Sequence, residues 1–215
     1  MVRVYNYHRR NNRRIGIIGS GKIGGAIGTH WAQYGHQVMF SNSQVGDKLK
    51  DLAQQAGENA QAGTIAEAVE FGDVILFAPP YWKTDEALSA AGSLDGKILI
   101  DATNPYRPDF TPKPPAIIGA LELAKKVPQA RIVKAYDMIR AQVLANEAYR
   151  SDRFAVYYCG DDEPAKEIVA QLIADSGFVG VDAGSLRDAA KLEPHGALYD
   201  KKLTLGEAKQ LLASV

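Results

Sequence analysis

From residue 14 onward, short apolar runs alternate with segments whose apolar positions recur every three or four residues. Residues 15–18, Ile-Gly-Ile-Ile, read as a buried parallel strand. Residues 22–34 then place Ile23, Ile27 and Trp31 on one helical face. The alternation continues through a strand at 37–41, a helix at 45–56 and a weak edge strand at 59–63. Thr64 opens the next helix, with Glu67 three residues on, as a capping box requires. Residues 73–78 read as a fully buried strand ended by Pro79 and Pro80, and two more strands lie at 97–101 and 131–135. Strands and helices in strict turn predict an α/β fold with a parallel sheet covered on both faces. Right-handed crossovers give the order 3-2-1-4-5-6, a Rossmann doubly wound sheet. A strand at 154–158, a helix at 163–176, a strand at 179–182 and a polar helical tail follow. This stretch either extends the sheet or forms a small lobe, and the pattern does not separate the two. The expected organisation is a basic arm at 1–13, a dinucleotide-binding domain at 14–135 and a C-terminal α/β extension at 136–215 that closes the substrate site.

The first loop narrows the chemistry. Gly19-x-Gly21-x-x-Gly24 lies between the first strand and the first helix, and that context makes it a dinucleotide fingerprint. Gly19 suits a tight turn, Gly21 lets backbone approach a pyrophosphate, and Gly24 lets the helix lie close to the strand. With Ser20, Lys22 and Ile23 they form the expected phosphate loop, whose free N–H groups face the ligand.

Composition is that of an ordinary globular chain: 215 residues, 46% hydrophobic and 23% charged. The zero net charge is uneven, because residues 1–14 hold five arginines and no acid. The remaining 201 residues carry 20 basic against 25 acidic side chains, a balance of −5. Such a body is a poor nucleic-acid surface. The single cysteine, Cys159, excludes an intrachain disulfide and a cysteine-based metal site, and its strand context predicts a buried, inert thiol. No apolar run reaches the roughly 18 residues that span a bilayer, and the N-terminus lacks a secretory pattern. The expectation is a cytoplasmic protein with no membrane partner, no nucleic-acid partner and no metal; a homodimer is left open.

Nucleotide choice is read at the end of the second strand, where an Asp or Glu would grip the ribose of NAD. Here stand Ser41, Asn42 and Ser43, with Lys48 and Lys50 one to two helical turns on. Hydroxyl and amide donors accept a 2′-phosphate that a carboxylate would repel, so the pattern points to NADP(H), although such a triplet is also a common helix cap. At the ends of the fourth and fifth strands lie Ala78, Pro79, Pro80 and Tyr81, then Asp101, Thr103 and Asn104. These positions border the switch-point crevice where a nicotinamide would lie. Asp101 reads as a brace for the loop, Thr103 and Asn104 as bonds to ribose or carboxamide, and Pro79, Tyr81 and Tyr136 as flat surface for an acceptor ring. A long proline-rich loop between strands five and six is a candidate binding element.

Several motifs occur together: Gly19-Ser20-Gly21-Lys22-Ile23-Gly24-Gly25, Phe40-Ser41-Asn42-Ser43, Ile100-Asp101-Ala102-Thr103-Asn104-Pro105, Val133-Lys134-Ala135-Tyr136, Cys159-Gly160-Asp161-Asp162, Val181-Asp182-Ala183-Gly184 and Leu192-Glu193-Pro194. In this order they resemble NADP oxidoreductases of the coenzyme F-420-dependent type, over residues 14–200. The resemblance implies hydride transfer between NADP(H) and a deazaflavin or flavin-like co-substrate. Ferric-reductase domains of the six-transmembrane epithelial type are also similar, without their membrane half. Two departures stand out. Gln44 occupies the place where NADP-binding members usually carry arginine, which removes a bidentate phosphate partner. Asp137 follows Ala135-Tyr136 where many relatives have Ala-Phe-Asn, so a carboxylate can face the substrate side.

Hydride transfer between rings needs no nucleophile, because the cofactors carry the chemistry. No side chain is therefore assigned as catalytic; Asp137, as a proton relay or a plain helix cap, and His195, as a neutral-range titrating group or a plain loop residue, are the candidates. The expected function is an NADP(H)-dependent oxidoreductase with a small-molecule acceptor. The alternative is a redox-sensing module that binds NADP(H) without catalysis. A reductase of imines or carbonyls is a third reading, disfavoured because the last 80 residues are short for the long helical dimerisation domain of such enzymes.

Overall fold

The computed structural model describes residues 12–215, so residues 1–11 of the expected basic arm lie outside the described residues. Strands β1 (Arg14–Ile18), β2 (Gln37–Ser41), β3 (Ala60–Gly63), β4 (Val74–Phe77), β5 (Ile98–Asp101), β6 (Arg131–Ala135), β7 (Ala155–Gly160) and β8 (Val179–Asp182) form one sheet. Its order is β3-β2-β1-β4-β5-β6-β7-β8. The first six strands are parallel and take the expected order. Every residue of β4 and β5 is buried, as is every residue of β1 after Arg14. That burial requires cover on both faces and explains why these strands read as unbroken apolar runs.

The cover comes from α1 (Lys22–Tyr34), α2 (Asp47–Ala56), α3 (Ile65–Phe71), α4 (Thr84–Ala91), α5 (Gly119–Lys126), α6 (Ala141–Asn146) and α7 (Glu163–Asp175). The Thr64–Glu67 capping box forms as predicted. α1 packs on α2, α6 and α7, and α3 packs on β1 and α4. Trp31 is the largest fully buried side chain; its indole N–H donates to the Leu172 carbonyl at 2.7 Å, and its ring meets Tyr136 edge-on. One aromatic thus ties the first helix to the C-terminal third of the chain, a contact no local pattern encodes.

The C-terminal stretch extends the sheet. After β6 the chain passes through α6 and returns antiparallel as β7, pairing Lys134 with Cys159. α7 then carries it to a parallel β8, and α8 (Ala189–Leu192) and α9 (Leu205–Leu212) finish the chain. Asp162 caps α7 by accepting the Ala165 N–H at 2.8 Å and also grips Arg131 through two hydrogen bonds. Among the described residues, no helix is long and apolar enough to cross a membrane. Cys159 is free and buried, and burial pushes its thiol pKa well up.

Candidate functional site

The fingerprint loop is held by backbone. Gly19 has φ +92°, and a Cβ there would lie 2.7 Å from Ala78 and Pro79 backbone atoms. A Cβ on Gly24 would meet the Gly19 carbonyl at 2.2 Å. These two glycines are demanded by the protein itself. Gly21 differs: an added Cβ would meet nothing within 4 Å. It is the N-cap of α1, and it has no side chain to satisfy the first N–H groups of the helix, which lack intrahelical acceptors. Open space over unclaimed donors at a helix N-terminus is a fit for a pyrophosphate. Lys22 is exposed at this opening, while Ile23 packs against the core.

The loop is stapled to the end of β2. The N–H groups of Gly19 and Ser20 donate to the Ser41 carbonyl, and the Ser20 N–H also donates to Asn42 Oδ1 at 2.8 Å. Ser41 itself is fully buried, its hydroxyl donating to the Ile17 carbonyl at 2.5 Å. The expected phosphate contact from the Ser41 side chain is corrected accordingly, because its hydroxyl is closed off against the backbone of the neighbouring strand β1. Asn42 and Ser43 line the groove, with Ile18, Gly19, Thr64, Pro79, Pro80 and Lys83, around about 340 Å³. With its oxygen occupied, the Asn42 amide keeps its nitrogen as a free donor group.

A second cavity, about 290 Å³, lies beyond the 3₁₀ turn Tyr81–Lys83 and is lined by Tyr81, Trp82, Thr103, Tyr106, Arg107 and Lys113, with α5 as a further wall. The residues preceding and within that turn separate it from the groove, so both open along one edge of the sheet. Lys113 sits 4.8 Å from the centre of the Tyr81 ring. The proline-rich loop folds back on itself through a bridge between Tyr106 and Pro112, and Phe110 at its tip meets Trp82 edge-on at 5.2 Å. Of the residues expected here, Tyr81 and Thr103 line the cavity. Thr103 is committed inward, since its N–H and hydroxyl both donate to Asp101. Asn104 donates to the Asp137 carbonyl at 2.7 Å, and its side-chain oxygen is buried with no partner. Tyr136 does not offer a face: it is fully buried, bonded to the Ser176 hydroxyl and packed on Trp31. His195 is exposed, with Nε2 3.3 Å from the Lys113 carbonyl.

Beneath this cavity lies a group of charges that the pattern of the chain did not disclose. Lys134 is fully buried; its ammonium is 3.0 Å from Asp101, 3.2 Å from Glu193 and 3.9 Å from Asp137, and it donates to the Thr103 carbonyl. Burial alone would lower the lysine pKa, but three carboxylates outweigh it and hold the ammonium charged. Glu193 also accepts the N–H groups of Gly119 and Ala120 at 2.7 and 2.9 Å, pinning the start of α5. Asp101 accepts from Thr103 and Lys134. Asp137 has no hydrogen bond at either oxygen. Burial raises its pKa to about 7, against the partial pull of Lys134. The sequence marked Asp101 and Asp137 one by one, and Lys134 stands out in an otherwise apolar strand at residues 132–135, but no spacing showed that they and Glu193 would meet.

Residues 14–105 match the family model for NADP oxidoreductase, coenzyme F420-dependent. The chain is 30% identical to rat Metalloreductase STEAP3 over 180 residues, 84% of this chain and 36% of that protein. It thus spans about a third of the length of the curated relatives it matches. A hypothetical protein, SMa0349, from Sinorhizobium meliloti superposes with a TM-score of 0.81 at 26% identity, over 89% of this chain and 95% of that one. A reductive aminase from Aspergillus terreus, in complex with NADPH and ethyl levulinate, gives 0.64 at 22% identity, over 86% of this chain and 58% of that one. The last of these shares the fold. The segment that matches that family model is the one that carries the fingerprint, the β2 terminus and the Asp101–Asn104 turn.

Proposed function

We propose that this chain is an NADP(H)-dependent oxidoreductase that transfers hydride between the nicotinamide and a small flat acceptor of the deazaflavin or flavin kind. The observation that carries this reading is Gly21, a residue the protein's own packing leaves free to be anything, set over unclaimed helix N–H groups. Gly19, Ser20 and Gly21 to Gly24 would hold the pyrophosphate. Asn42 and Ser43 would receive the 2′-phosphate end, where β2 brings no carboxylate; Lys83 also lines the groove, paired with Glu86 at 3.6 Å. Ala78, Pro79, Pro80 and Thr103 would back the nicotinamide half, with Asn104 orienting one polar edge. When bound, NADPH supplies a hydride with its electron pair. The chain's part is to align the two rings and exclude water. Tyr81, Trp82 and Tyr106 give the cavity an aromatic lining suited to a ring; behind that lining, Glu193 holds the start of α5 and Tyr199 bonds Tyr106. The family of residues 14–105 and the NADPH held by the aminase with the same fold support the cofactor choice.

The test is twofold. Titration should show tighter binding of NADPH than of NADH. NADPH oxidation should then be followed with deazaflavin, flavins, quinones, ferric chelates and cyclic imines. Turnover with a ring acceptor is the expected result; tight NADPH binding without turnover of any acceptor would leave a binding module.

A further inference from the structure

Four ionisable groups are buried together under the second cavity, and they do not balance. Lys134 contributes one positive charge, while Asp101, Glu193 and Asp137 contribute three carboxyls, all within reach of one ammonium. A buried site carrying two net negative charges is costly unless a proton joins it. Two of the carboxyls are saturated. Asp101 accepts the Thr103 N–H, the Thr103 hydroxyl and the ammonium; Glu193 accepts two backbone N–H groups and lies 3.2 Å from the same ammonium. Such donors favour the ionised form. Asp137 alone has bare oxygens, so the proton settles there. The burial that lifts its pKa to about 7 agrees with that assignment.

The surroundings give the proton a place to go. Asn104, on the cavity-side loop, bonds the Asp137 carbonyl and keeps an orphaned buried oxygen of its own. On another side, the backbone at Asp200 donates to the Met138 carbonyl at 2.9 Å, which lays Tyr199 beside residue 137. The Tyr199 hydroxyl is 2.9 Å from the Tyr106 hydroxyl, and Tyr106 lines the cavity. Burial and the Tyr106 bond hold the Tyr199 proton firmly, and Asp137 lies near enough that its charge, once its proton has left, adds to this. From β7, Cys159 also faces Asp137, with its thiol held neutral by burial. No cation but Lys134 lies within ion-pair distance of Asp137 among the described residues.

Resting on the hydride-transfer reading above, we propose that Asp137 stores the proton that completes reduction of the acceptor and delivers it to the cavity through the hydroxyls of Tyr199 and Tyr106. Hydride moves with its electron pair from NADPH to the acceptor ring, which becomes negative. The Tyr106 O–H breaks as the proton joins that ring; Tyr199 reprotonates Tyr106, and Asp137, whose charge reaches Tyr199, makes good the proton that Tyr199 gives up. Asp137 is left as a carboxylate beside the Lys134 ammonium and recovers its proton from solvent. Asp137 acts through the tyrosines and is a positioning and proton-storing residue, while Tyr106 is the group that meets the acceptor.

The first readout needs no cofactor. Infrared spectroscopy of the full chain should show a protonated carboxyl band that disappears as pH rises through about 7 and is absent in Asp137→Asn. Tyr199→Phe should keep the band. With NADPH and the best acceptor, the wild-type rate should fall as pH rises through the same range. Asp137→Asn should be roughly 100-fold slower at low pH and lose that dependence, with NADPH affinity unchanged. Tyr199→Phe should be slowed similarly. An active protein without the band, or one in which either variant keeps the wild-type rate and pH profile, overturns the proton store alone. A folded protein that shows the band but oxidises NADPH with no acceptor overturns the hydride-transfer reading and the proton's use together.

Discussion

The groove and the second cavity sit on either side of one short turn, yet they are built from different materials. The groove side is made largely of backbone and short side chains: the turn at Gly19 and the ends of β1 and β2, with Lys83 and Glu86 on one wall, and next to it the helix start at Gly21, which opens on a hollow shared with α6. The cavity is made of long side chains drawn from the 3₁₀ turn, the proline loop and α5, over a buried ion cluster completed by Glu193. A backbone-built site depends on a few glycines in one stretch of chain. A side-chain-built site depends on residues about 90 positions apart in sequence holding each other in place. The first is robust to most substitutions and fixed in its ligand; the second is fragile and adjustable.

The largest effect should come from the foundations of the cavity. Lys134→Met removes the one cation from a cluster of three buried carboxyls, and breaking a buried ion pair from one side costs about 3–5 kcal/mol. Denaturant unfolding should show a loss of that order. Because Glu193 and Asp101 then repel, the start of α5 and the Thr103 turn should exchange amide hydrogens faster than β1 and β2 do. Equal loosening on both sides of the turn would mean that the two regions are one mechanical unit.

Gly21→Val tests the groove in the opposite way. Its side chain enters space that no protein atom claims, so thermal stability should change little. NADPH affinity should fall ~100-fold or more, about 2.7 kcal/mol, since the branch fills the pyrophosphate's place. Gly24→Ala is the control: its Cβ would lie 2.2 Å from the Gly19 carbonyl, so stability and binding should fall together. A Gly21 variant that unfolds would show that this glycine, too, serves packing.

The same contrast explains what could be read from the chain. The six parallel strands, the capping box at Thr64 and the glycine turn between β1 and α1 are local: periodicity and glycine spacing determine them, and each lies where the pattern puts it. Ser41 shows the limit of that reading. The triplet at 41–43 was legible as a strand end, but which of its members faces ligand depends on strand register, and Ser41 faces inward. Tyr136 fails similarly; its positive φ of 68° turns it under Trp31 instead of toward the cavity. Lys134 and Glu193 gave no periodic signal because their partners are remote in sequence. The destination of the last 80 residues was open because an antiparallel return at β7 carries no local mark distinct from a separate lobe.

A smaller effect is expected at the mouth of the cavity. Trp82→Ala removes the ring that meets Phe110 and should raise the KM for a ring acceptor by about 2- to 10-fold, the scale of an aromatic contact of about 0.5–1.5 kcal/mol, while NADPH binding stays unchanged. Tyr81→Ala should do the same with some loss of stability, since its ring also packs under Lys113 and against the start of α5. An equal effect on NADPH affinity would erase the boundary drawn at this turn.

The smallest effect tests whether the groove has any side-chain selectivity of its own. Gln44 is exposed between two residues that line the groove, Ser43 and Val45. Gln44→Arg adds a guanidinium at the end where a 2′-phosphate would lie, and an exposed charge contact of this kind is worth about 0.2–1 kcal/mol. NADPH binding should tighten by a few-fold, NADH binding should not move, and the gain should shrink as salt rises. Ser43→Asp should act in reverse, weakening NADPH and sparing NADH. If Gln44→Arg tightens both nucleotides equally, the arginine acts on the shared pyrophosphate, and the 2′-phosphate end lies elsewhere along the groove. If Ser43→Asp leaves NADPH untouched, the groove selects through backbone alone, and the difference between the two sides of the turn is sharper still.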